Sequence, residues 1–141
     1  MLKVLLIRHA DIDLPRASPD PPLNASGHLR AQALAHVVTT AGVTAIFTSQ
    51  FTRTKQTVEP IAARLALRPR EASGTLIDEL LAGPDGAVVL IAGHSNTLPE
   101  MIAALGVPPP LPIIEEPDFD NLFVVIANAA LRQASLVHLK Y

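Results

Sequence analysis

Three short, largely apolar runs stand out along the chain, and each is followed within two residues by polar or charged side chains. They cover residues 4–7, 44–47 and 88–92. A short, continuous apolar run is typical of a strand that is buried on both faces, as in the middle of a parallel sheet. Helical patterns separate the three runs, and this alternation of strands and helices predicts an α/β fold.

The stretches between the strands predict helices at residues 24–40, 52–66, 73–81 and 97–105. Asn24 and Ser73 are placed to cap the first and third of these helices. Thr97 with Glu100 has the spacing of a capping box for the fourth. In the first helix, five residues at helical spacing form the expected apolar stripe: Leu29, Ala33, Leu34, Val37 and Val38.

The remaining segments complete the expected architecture. Residues 67–71 predict a short strand, and residues 122–127 and 134–141 predict a terminal hairpin turned near residues 128–129. We place this hairpin at an edge of the sheet. The expected fold is α/β with three layers: a mostly parallel central sheet, helices on both faces and a C-terminal edge hairpin. We expect residues 1–141 to form a single domain.

Side chains suited to phosphate chemistry follow each of the three strands. Arg8 and His9 come directly after the first strand, Arg53 follows the second and His94 follows the third. Because the carboxyl ends of parallel strands meet at one edge of a sheet, we expect these side chains to share a pocket. Arginine presents a planar, charged fork that matches phosphate. Arg53 would also lie in the first turn of a helix, where the helix dipole favours an anion.

Four motifs match, in order, the signature of a known family. They are Arg8-His9-Ala10, residues 22–27 with Gln32-Ala33, residues 48–57, and Gly93-His94-Ser95-Asn96-Thr97. On these motifs the chain resembles the histidine phosphatase superfamily, which includes cofactor-dependent phosphoglycerate mutases and short bacterial phosphohistidine phosphatases. Ala10 departs from the pattern, since the family usually has glycine there. The added methyl group matters only if the residue needs a positive φ.

The resemblance implies a role for each residue of the pocket. It assigns the covalent phosphohistidine to His9 and the binding of the phosphate group to Arg8, Arg53, His94 and Ser95. We expect no metal ion and no cofactor. A neutral imidazole is a competent nucleophile near neutral pH if its other nitrogen is held by a hydrogen bond. A hydrogen bond from a second imidazole would stabilise the transferring group.

The general acid that protonates the leaving group is left open. Relatives with a glutamate in this role carry it on an insertion, and this chain is short there. Glu79, with Asp78 beside it, is the candidate by position in the family. Asp11 is the local rival, because it lies only two residues beyond His9, and Asp13 follows closely. The helical pattern turns Glu79 and Asp78 away from the sheet, so we lean to Asp11.

The expected function is a metal-independent phosphatase that acts on phosphomonoesters or phosphohistidine through a covalent phospho-His9 intermediate. Only the modest loops at residues 11–22 and 107–118 can cover the site. An open site favours a phosphatase over a mutase, since a mutase must retain its intermediate. Two alternatives stay open: a non-catalytic module that binds phosphate or phosphopeptides, and a phosphoglycerate-type mutase. A third alternative, a metallohydrolase, would use His9, Asp11, Asp13, His94 and the acids at 118 and 120.

Composition sets outer bounds on these interpretations. The chain has 141 residues, of which 49% are hydrophobic, and a formal net charge of −2. We expect a hydrophobic core of ordinary size. The slightly negative charge does not favour a basic surface that binds nucleic acid. There is no cysteine, which excludes disulfide and thiol chemistry, and no apolar run approaches a membrane span. We therefore expect a cytoplasmic protein whose partner is a phosphorylated small molecule or phosphoprotein.

Overall fold

A computed structural model of the chain describes residues 1–111 and 117–141. Within these ranges the strands are β1 (Leu2–Arg8), β2 (Ala45–Thr48), β3 (Arg70–Glu71), β4 (Val88–Gly93), β5 (Asn121–Asn128) and β6 (Gln133–Lys140). The helices are α1 (Ala25–Val38), α2 (Thr52–Leu65), α3 (Leu76–Ala82) and α4 (Thr97–Ala104). In the same ranges, no helix combines the length and the apolar character that crossing a bilayer requires.

The six strands form one sheet in the order β3-β2-β4-β1-β5-β6. The first four of these are parallel to one another, whereas β5 is antiparallel to β1 and to β6. The predicted α/β class, the mostly parallel sheet and the C-terminal edge hairpin are therefore confirmed. In the register of β1 and β4, Arg8 lies beside Gly93. The first and third predicted strands thus end side by side.

Two apolar layers hold the helices against the sheet. Helices α1 and α2 cover one face, where Leu34, Val58 and Ile61 pack with the sheet residues Ile7 and Leu90. Helices α3 and α4 cover the other face through a second cluster that includes Leu76, Leu98, Ile102, Leu6 and Phe123. The central strands β1 and β4 contribute side chains to both clusters, which explains why their sequences are almost continuously apolar.

The predicted apolar stripe of α1 is partly wrong. Leu34 and Val38 are buried as expected, but Leu29 is 73% exposed and Val37 is 47% exposed. The buried face instead includes Ala31 and Ala35, together with a glycine. Small residues on this face let the helix lie close to its neighbours, whereas a stripe chosen by hydrophobicity alone favours the larger side chains.

The predicted helix caps have mixed outcomes. Asn24 is confirmed, because its side chain accepts a hydrogen bond from the backbone N–H of Gly27 at 2.8 Å. The capping box at Thr97 is wrong: α4 begins at Thr97, and the Thr97 hydroxyl accepts from the backbone N–H of His94 at 3.0 Å. The Ser73 cap is also wrong, since Thr75 is the N-cap residue of α3. The predicted loop at 107–118 falls in part on residues 112–116, which lie outside the described residues.

Candidate active site

The ends of β1 and β4 bring two histidines together. The backbone N–H of His9 donates to the Gly93 carbonyl at 2.9 Å, so the pairing of the two strands continues one residue past Arg8. The next residue after β4 is His94, and its ring centroid lies 5.4 Å from that of His9. The ends of β1 and β4 therefore lie side by side, as predicted, and bring His9 and His94 close together.

His9 is held as a neutral imidazole with one nitrogen engaged. Its side chain is among the buried polar groups, with the residue only 3% exposed. Nδ1 lies 2.8 Å from the Ala10 carbonyl oxygen, and because a carbonyl can only accept, Nδ1 carries the proton. Burial lowers the pKa of His9 to about 3, and the charges of Arg8 and Arg53 act in the same direction. Nε2 thus keeps its lone pair at neutral pH.

The methyl group of Ala10 fits its position. Among the described residues, the non-glycine positions with positive φ are Ala66 and Arg132, so Ala10 is not in the region that favours glycine. Its side chain is fully buried in a small cluster that contains Ile12 and Phe119. The departure from the family pattern therefore adds packing and introduces no backbone strain.

Thr57 ties the residue after the nucleophile to α2, a role that the sequence did not suggest. Its hydroxyl accepts from the backbone N–H of Ala10 at 2.8 Å and donates to the Arg53 carbonyl at 2.7 Å. The side chain is completely buried. Because the Ala10 carbonyl orients the His9 ring, Thr57 fixes that ring relative to the helix that carries Arg53.

Two arginines lie close enough to His9 for their charges to act on it, and each is stacked on an aromatic ring. Arg8 is 5% exposed, donates from Nη1 to the Asp118 carbonyl at 3.1 Å and lies 4.3 Å from the centroid of the Phe119 ring. Arg53 is 4% exposed and lies 4.5 Å from the Phe51 ring. Its Nε and Nη1 atoms have no hydrogen-bond partner among the described residues. Burial lowers the pKa of Arg53, the charge of Arg16 acts in the same direction, and the charge of Asp20 opposes both.

His94 follows the neighbouring strand end, that of β4. Its Nε2 lies 2.8 Å from the hydroxyl oxygen of Ser49, and the Phe51 ring meets it edge-on at 5.3 Å. Burial lowers the pKa of His94 to about 4, and Arg53 is the next cause. This ring is therefore also neutral at pH 7. Ser95, the other predicted phosphate ligand, follows it as a half-buried residue in the turn before α4.

The two candidate acids both make other contacts. The carboxylate of Asp11 accepts from Arg30 Nε at 2.5 Å and from Arg30 Nη2 at 3.4 Å. Glu79 is exposed on α3 and accepts from the Thr75 hydroxyl at 2.8 Å. The acid role of either residue stays a prediction.

A third acid, Asp20, lies beside Arg53. Its two carboxylate oxygens accept from the backbone N–H and the hydroxyl of Thr52, each at 2.8 Å, and so cap α2 from the first loop. These bonds lower the pKa of Asp20, which keeps it ionised at neutral pH. One of its oxygens is 4.0 Å from Arg53 Nη1. Asp20 therefore positions α2 and partly balances Arg53, and it is poorly suited to donate a proton.

The assembled groups describe an anion site. Two guanidinium groups supply positive charge, and two neutral imidazoles supply a lone pair and a hydrogen-bond donor. No group of three or more potential metal-ligating His, Asp or Glu side chains occurs within 1–111 and 117–141. Phosphoryl transfer requires groups of these kinds, namely positive charge for the phosphoryl oxygens and a lone pair that can attack the phosphorus atom.

A model of the histidine phosphatase superfamily (branch 1) matches residues 4–76, a span that is more than half of the chain and contains Arg8, His9 and Arg53. The chain belongs to the histidine phosphatase superfamily. This membership confirms the recognised family and supports the predicted phosphatase activity. No curated protein sequence matches the chain.

Solved structures of phosphatases share the fold over nearly the whole chain. The protein histidine phosphatase SixA complexed with tungstate has a TM-score of 0.78 and 20% identity, covering 98% of this chain and 96% of its own. A mycobacterial glucosyl-3-phosphoglycerate phosphatase complexed with VO3 gives 0.75 and 17%, with coverage of 99% and 98%. A putative alpha-ribazole-5'-P phosphatase from Escherichia coli gives 0.74 and 14%, covering 99% and 96%.

Proposed function

We propose that this member of the histidine phosphatase superfamily is a metal-independent phosphatase that works through a covalent phosphohistidine at Nε2 of His9. The observation that carries the proposal is the buried Arg53 guanidinium near a neutral nucleophile: its Nε and Nη1 make no hydrogen bond within residues 1–111 and 117–141. Buried guanidinium nitrogens without hydrogen bonds are unfavourable, and the oxygens of a phosphoryl group would accept those bonds. Tungstate and VO3, bound to two of the structural neighbours, are anions of the same kind.

The first chemical step moves the phosphoryl group to His9. The lone pair of Nε2 forms a bond to phosphorus as the bond to the leaving group breaks, and the leaving group departs with that electron pair. Nδ1 keeps its proton and its bond to the Ala10 carbonyl, which stabilises the positive charge developing on the ring. Arg8, Arg53 and a hydrogen bond from His94 stabilise the equatorial oxygens; one such donor is worth about 3–4 kcal/mol of barrier.

The second step returns the enzyme to its starting state. A water molecule attacks the phosphorus atom of phospho-His9, and the P–N bond breaks with its electron pair returning to Nε2. The water loses a proton to a base or to solvent, and inorganic phosphate leaves. The neutral form of His9 is favoured again because its environment is buried and cationic.

The substrate class follows from the contacts of the acids. Because Asp11 is paired with Arg30 and Glu79 with Thr75, we expect substrates whose leaving group needs little protonation. A phosphohistidine or another phosphoramidate meets this condition, and so does an aryl phosphomonoester. The structural neighbour SixA is described as a protein histidine phosphatase. A phosphoprotein or a phosphorylated small molecule is therefore the proposed partner.

The first test is hydrolysis of p-nitrophenyl phosphate with and without a chelator. We expect turnover that EDTA does not reduce. After reaction with a ³²P-labelled aryl phosphate, the protein should carry a label that is stable to base and lost in acid, as phosphoramidate bonds are. His9→Ala should abolish both turnover and label, whereas His28→Ala changes an exposed helical histidine and should leave both intact.

Each other outcome has a defined meaning. Binding of phosphate without any turnover would identify the chain as a phosphate-binding module. Loss of activity in EDTA, restored by a divalent cation, would support the metallohydrolase interpretation. Normal labelling of His9→Ala would show that the nucleophile is a different residue.

A further inference from the structure

Two hydroxyl groups, those of Ser49 and Thr54, form a hydrogen-bond network that reaches the His94 ring. Nε2 of His94 lies 2.8 Å from Ser49 Oγ, and Ser49 Oγ lies 2.9 Å from Thr54 Oγ1. Thr54 Oγ1 is also 2.9 Å from the Phe51 carbonyl oxygen, and the Phe51 N–H reaches Ser49 Oγ at 3.3 Å. Thr54 is completely buried. The connection between β2 and α2 therefore carries a hydrogen-bond network that ends on the imidazole.

This network decides which nitrogen of His94 meets a bound anion. With Nε2 engaged by Ser49, Nδ1 is the ring atom that is left for the phosphoryl group. The arrangement is opposite to that of His9, where Nδ1 is engaged by the Ala10 carbonyl and Nε2 is left. The two neighbouring imidazoles thus offer different nitrogens, one for attack and one for hydrogen bonding.

The hydroxyl protons can be ordered in two directions. In one, Thr54 donates to the Phe51 carbonyl, Ser49 donates to Thr54, and His94 donates from Nε2 to Ser49, which leaves a lone pair on Nδ1. In the other, Thr54 donates to Ser49, and Ser49 donates to His94 Nε2, so that Nδ1 carries the proton. A lone pair on Nδ1 would repel the oxygen of a phosphoryl group, whereas an N–H would bind it. A bound anion therefore selects the second direction.

We propose that Ser49 is a positioning residue: its hydroxyl donates to Nε2 of His94 and holds the ring in the Nδ1–H tautomer that donates to the phosphoryl group. This role rests on the proposed phosphatase function of the same pocket. Ser49 lies within the motif at residues 48–57, and in this role it acts on the phosphoryl group through His94.

The direct test is the protonation pattern of the His94 ring, read from ¹⁵N spectra of ¹⁵N-histidine-labelled protein with saturating inorganic phosphate at pH 7. We expect a protonated Nδ1 and an unprotonated Nε2 in the wild type. In Ser49→Ala the pattern should shift toward the Nε2–H tautomer or a mixture of the two. A wild-type complex with Nε2 protonated and Nδ1 bare would overturn the proposal, and so would an unchanged pattern in Ser49→Ala.

Kinetics provide a second readout. Ser49→Ala should lower kcat for p-nitrophenyl phosphate about 10–100-fold, the range found for partners that orient metal-bound histidines, with a smaller change in KM. Ser49→Thr keeps the hydroxyl and should recover most of the loss, and Ser26→Ala, at an exposed position in α1, is the matched control. Equal activity of Ser49→Ala and wild type would overturn the proposal.

The spectra and the kinetics together distinguish a failure of this inference from a failure of the proposed function. The spectra require only that phosphate binds, so they report on Ser49 even if the wild type hydrolyses nothing. If the wild type turns over and forms a phosphoenzyme but the His94 pattern contradicts the expectation, then the function stands and the role of Ser49 does not.

Discussion

Burial of two histidines at the strand ends is the residue-scale feature from which the chemistry follows. A side chain with an ordinary pKa near 6.5 is partly protonated near neutral pH, and a protonated ring has no lone pair for attack. Here burial lowers the pKa of His9 to about 3 and that of His94 to about 4. The neighbouring arginines add to both shifts, so the charges that bind the anion also keep the nucleophile neutral.

The same shifts make the stability of the protein depend on pH. In the unfolded chain both histidines bind protons below pH 6.5, whereas in the folded protein they stay neutral down to about pH 3 and 4. The free energy of unfolding should therefore fall as the pH drops from 6.5, by up to about 1.4 kcal/mol per pH unit for each histidine. His94→Gln removes one of these contributions, so its slope between pH 6 and 4.5 should be shallower in urea denaturation.

The control for this prediction is His36→Gln, which replaces an exposed histidine of α1. Its slope should match that of the wild type, since this change leaves both buried histidines in place. Parallel slopes for His94→Gln and wild type would contradict the prediction and would mean that His94 is protonated in the folded protein.

The residues of the pocket divide into those that the sequence could predict and those it could not. Arg8, His9 and His94 follow buried strands, and the convergence of parallel strand ends is a general rule, so their proximity was predictable. Phe119 lies far along the chain from Arg8, which it stacks against, and no periodic pattern connects them. Thr57 lies in a matched motif, but its bond to the Ala10 N–H appears only when α2 is placed against β1.

At the scale of elements, the fit of α1 against the first loop supports the nucleophile. An ideal Cβ on Gly27 would lie 2.2 Å from the Asp11 carbonyl oxygen, so the backbone of the helix touches the segment just beyond His9 and Ala10. The same carbonyl accepts a hydrogen bond from the N-cap residue Asn24 at 3.0 Å. This contact explains the glycine in the family motif and the buried face of α1, which a stripe of large apolar residues did not reveal.

Gly27→Ala should therefore destabilise the protein and reduce activity. Alanine is favoured over glycine in a helix by about 1 kcal/mol, but an overlap with a backbone oxygen has no rotamer that relieves it. We expect a net loss of about 1–3 kcal/mol in the free energy of unfolding, because overpacked sites move the backbone. The displaced loop should also lower kcat, as measured with p-nitrophenyl phosphate at a temperature where the variant remains folded.

Gly74→Ala is the matched comparison for this change. Gly74 has open space at its Cβ position and lies in an exposed turn. The substitution should change the free energy of unfolding by less than about 0.5 kcal/mol. If both variants were equally stable and active, then the contact between α1 and the loop would be looser than the geometry indicates.

Across the whole molecule, the topology accounts for both the site and the open question of the acid. The order β2-β4-β1 places the three chemistry-bearing strand ends side by side, and the first loop and α1 close the pocket next to β1. Asp11 belongs to this first loop, and its carboxylate accepts a hydrogen bond from Arg30 of α1. Arg30 also donates to the Tyr141 carbonyl at 3.0 Å. Asp11 thus links the loop, α1 and the chain beyond the last strand.

A comparison of substrates with different leaving groups shows whether Asp11 also acts as an acid. A general acid contributes about 10²–10⁴-fold, and it matters most for an alkyl phosphate, whose leaving alkoxide must be protonated. If Asp11 is structural, then Asp11→Asn and Arg30→Gln should lose similar activity, and each should lose it equally on an aryl and an alkyl phosphate. The ion pair of Asp11 with Arg30 favours this result over the acid role predicted from the sequence, and Glu79→Gln should stay close to wild type on both substrates. A much larger loss on the alkyl ester for Asp11→Asn alone would instead identify Asp11 as the acid, because Arg30→Gln removes the same ion pair but keeps the carboxyl group.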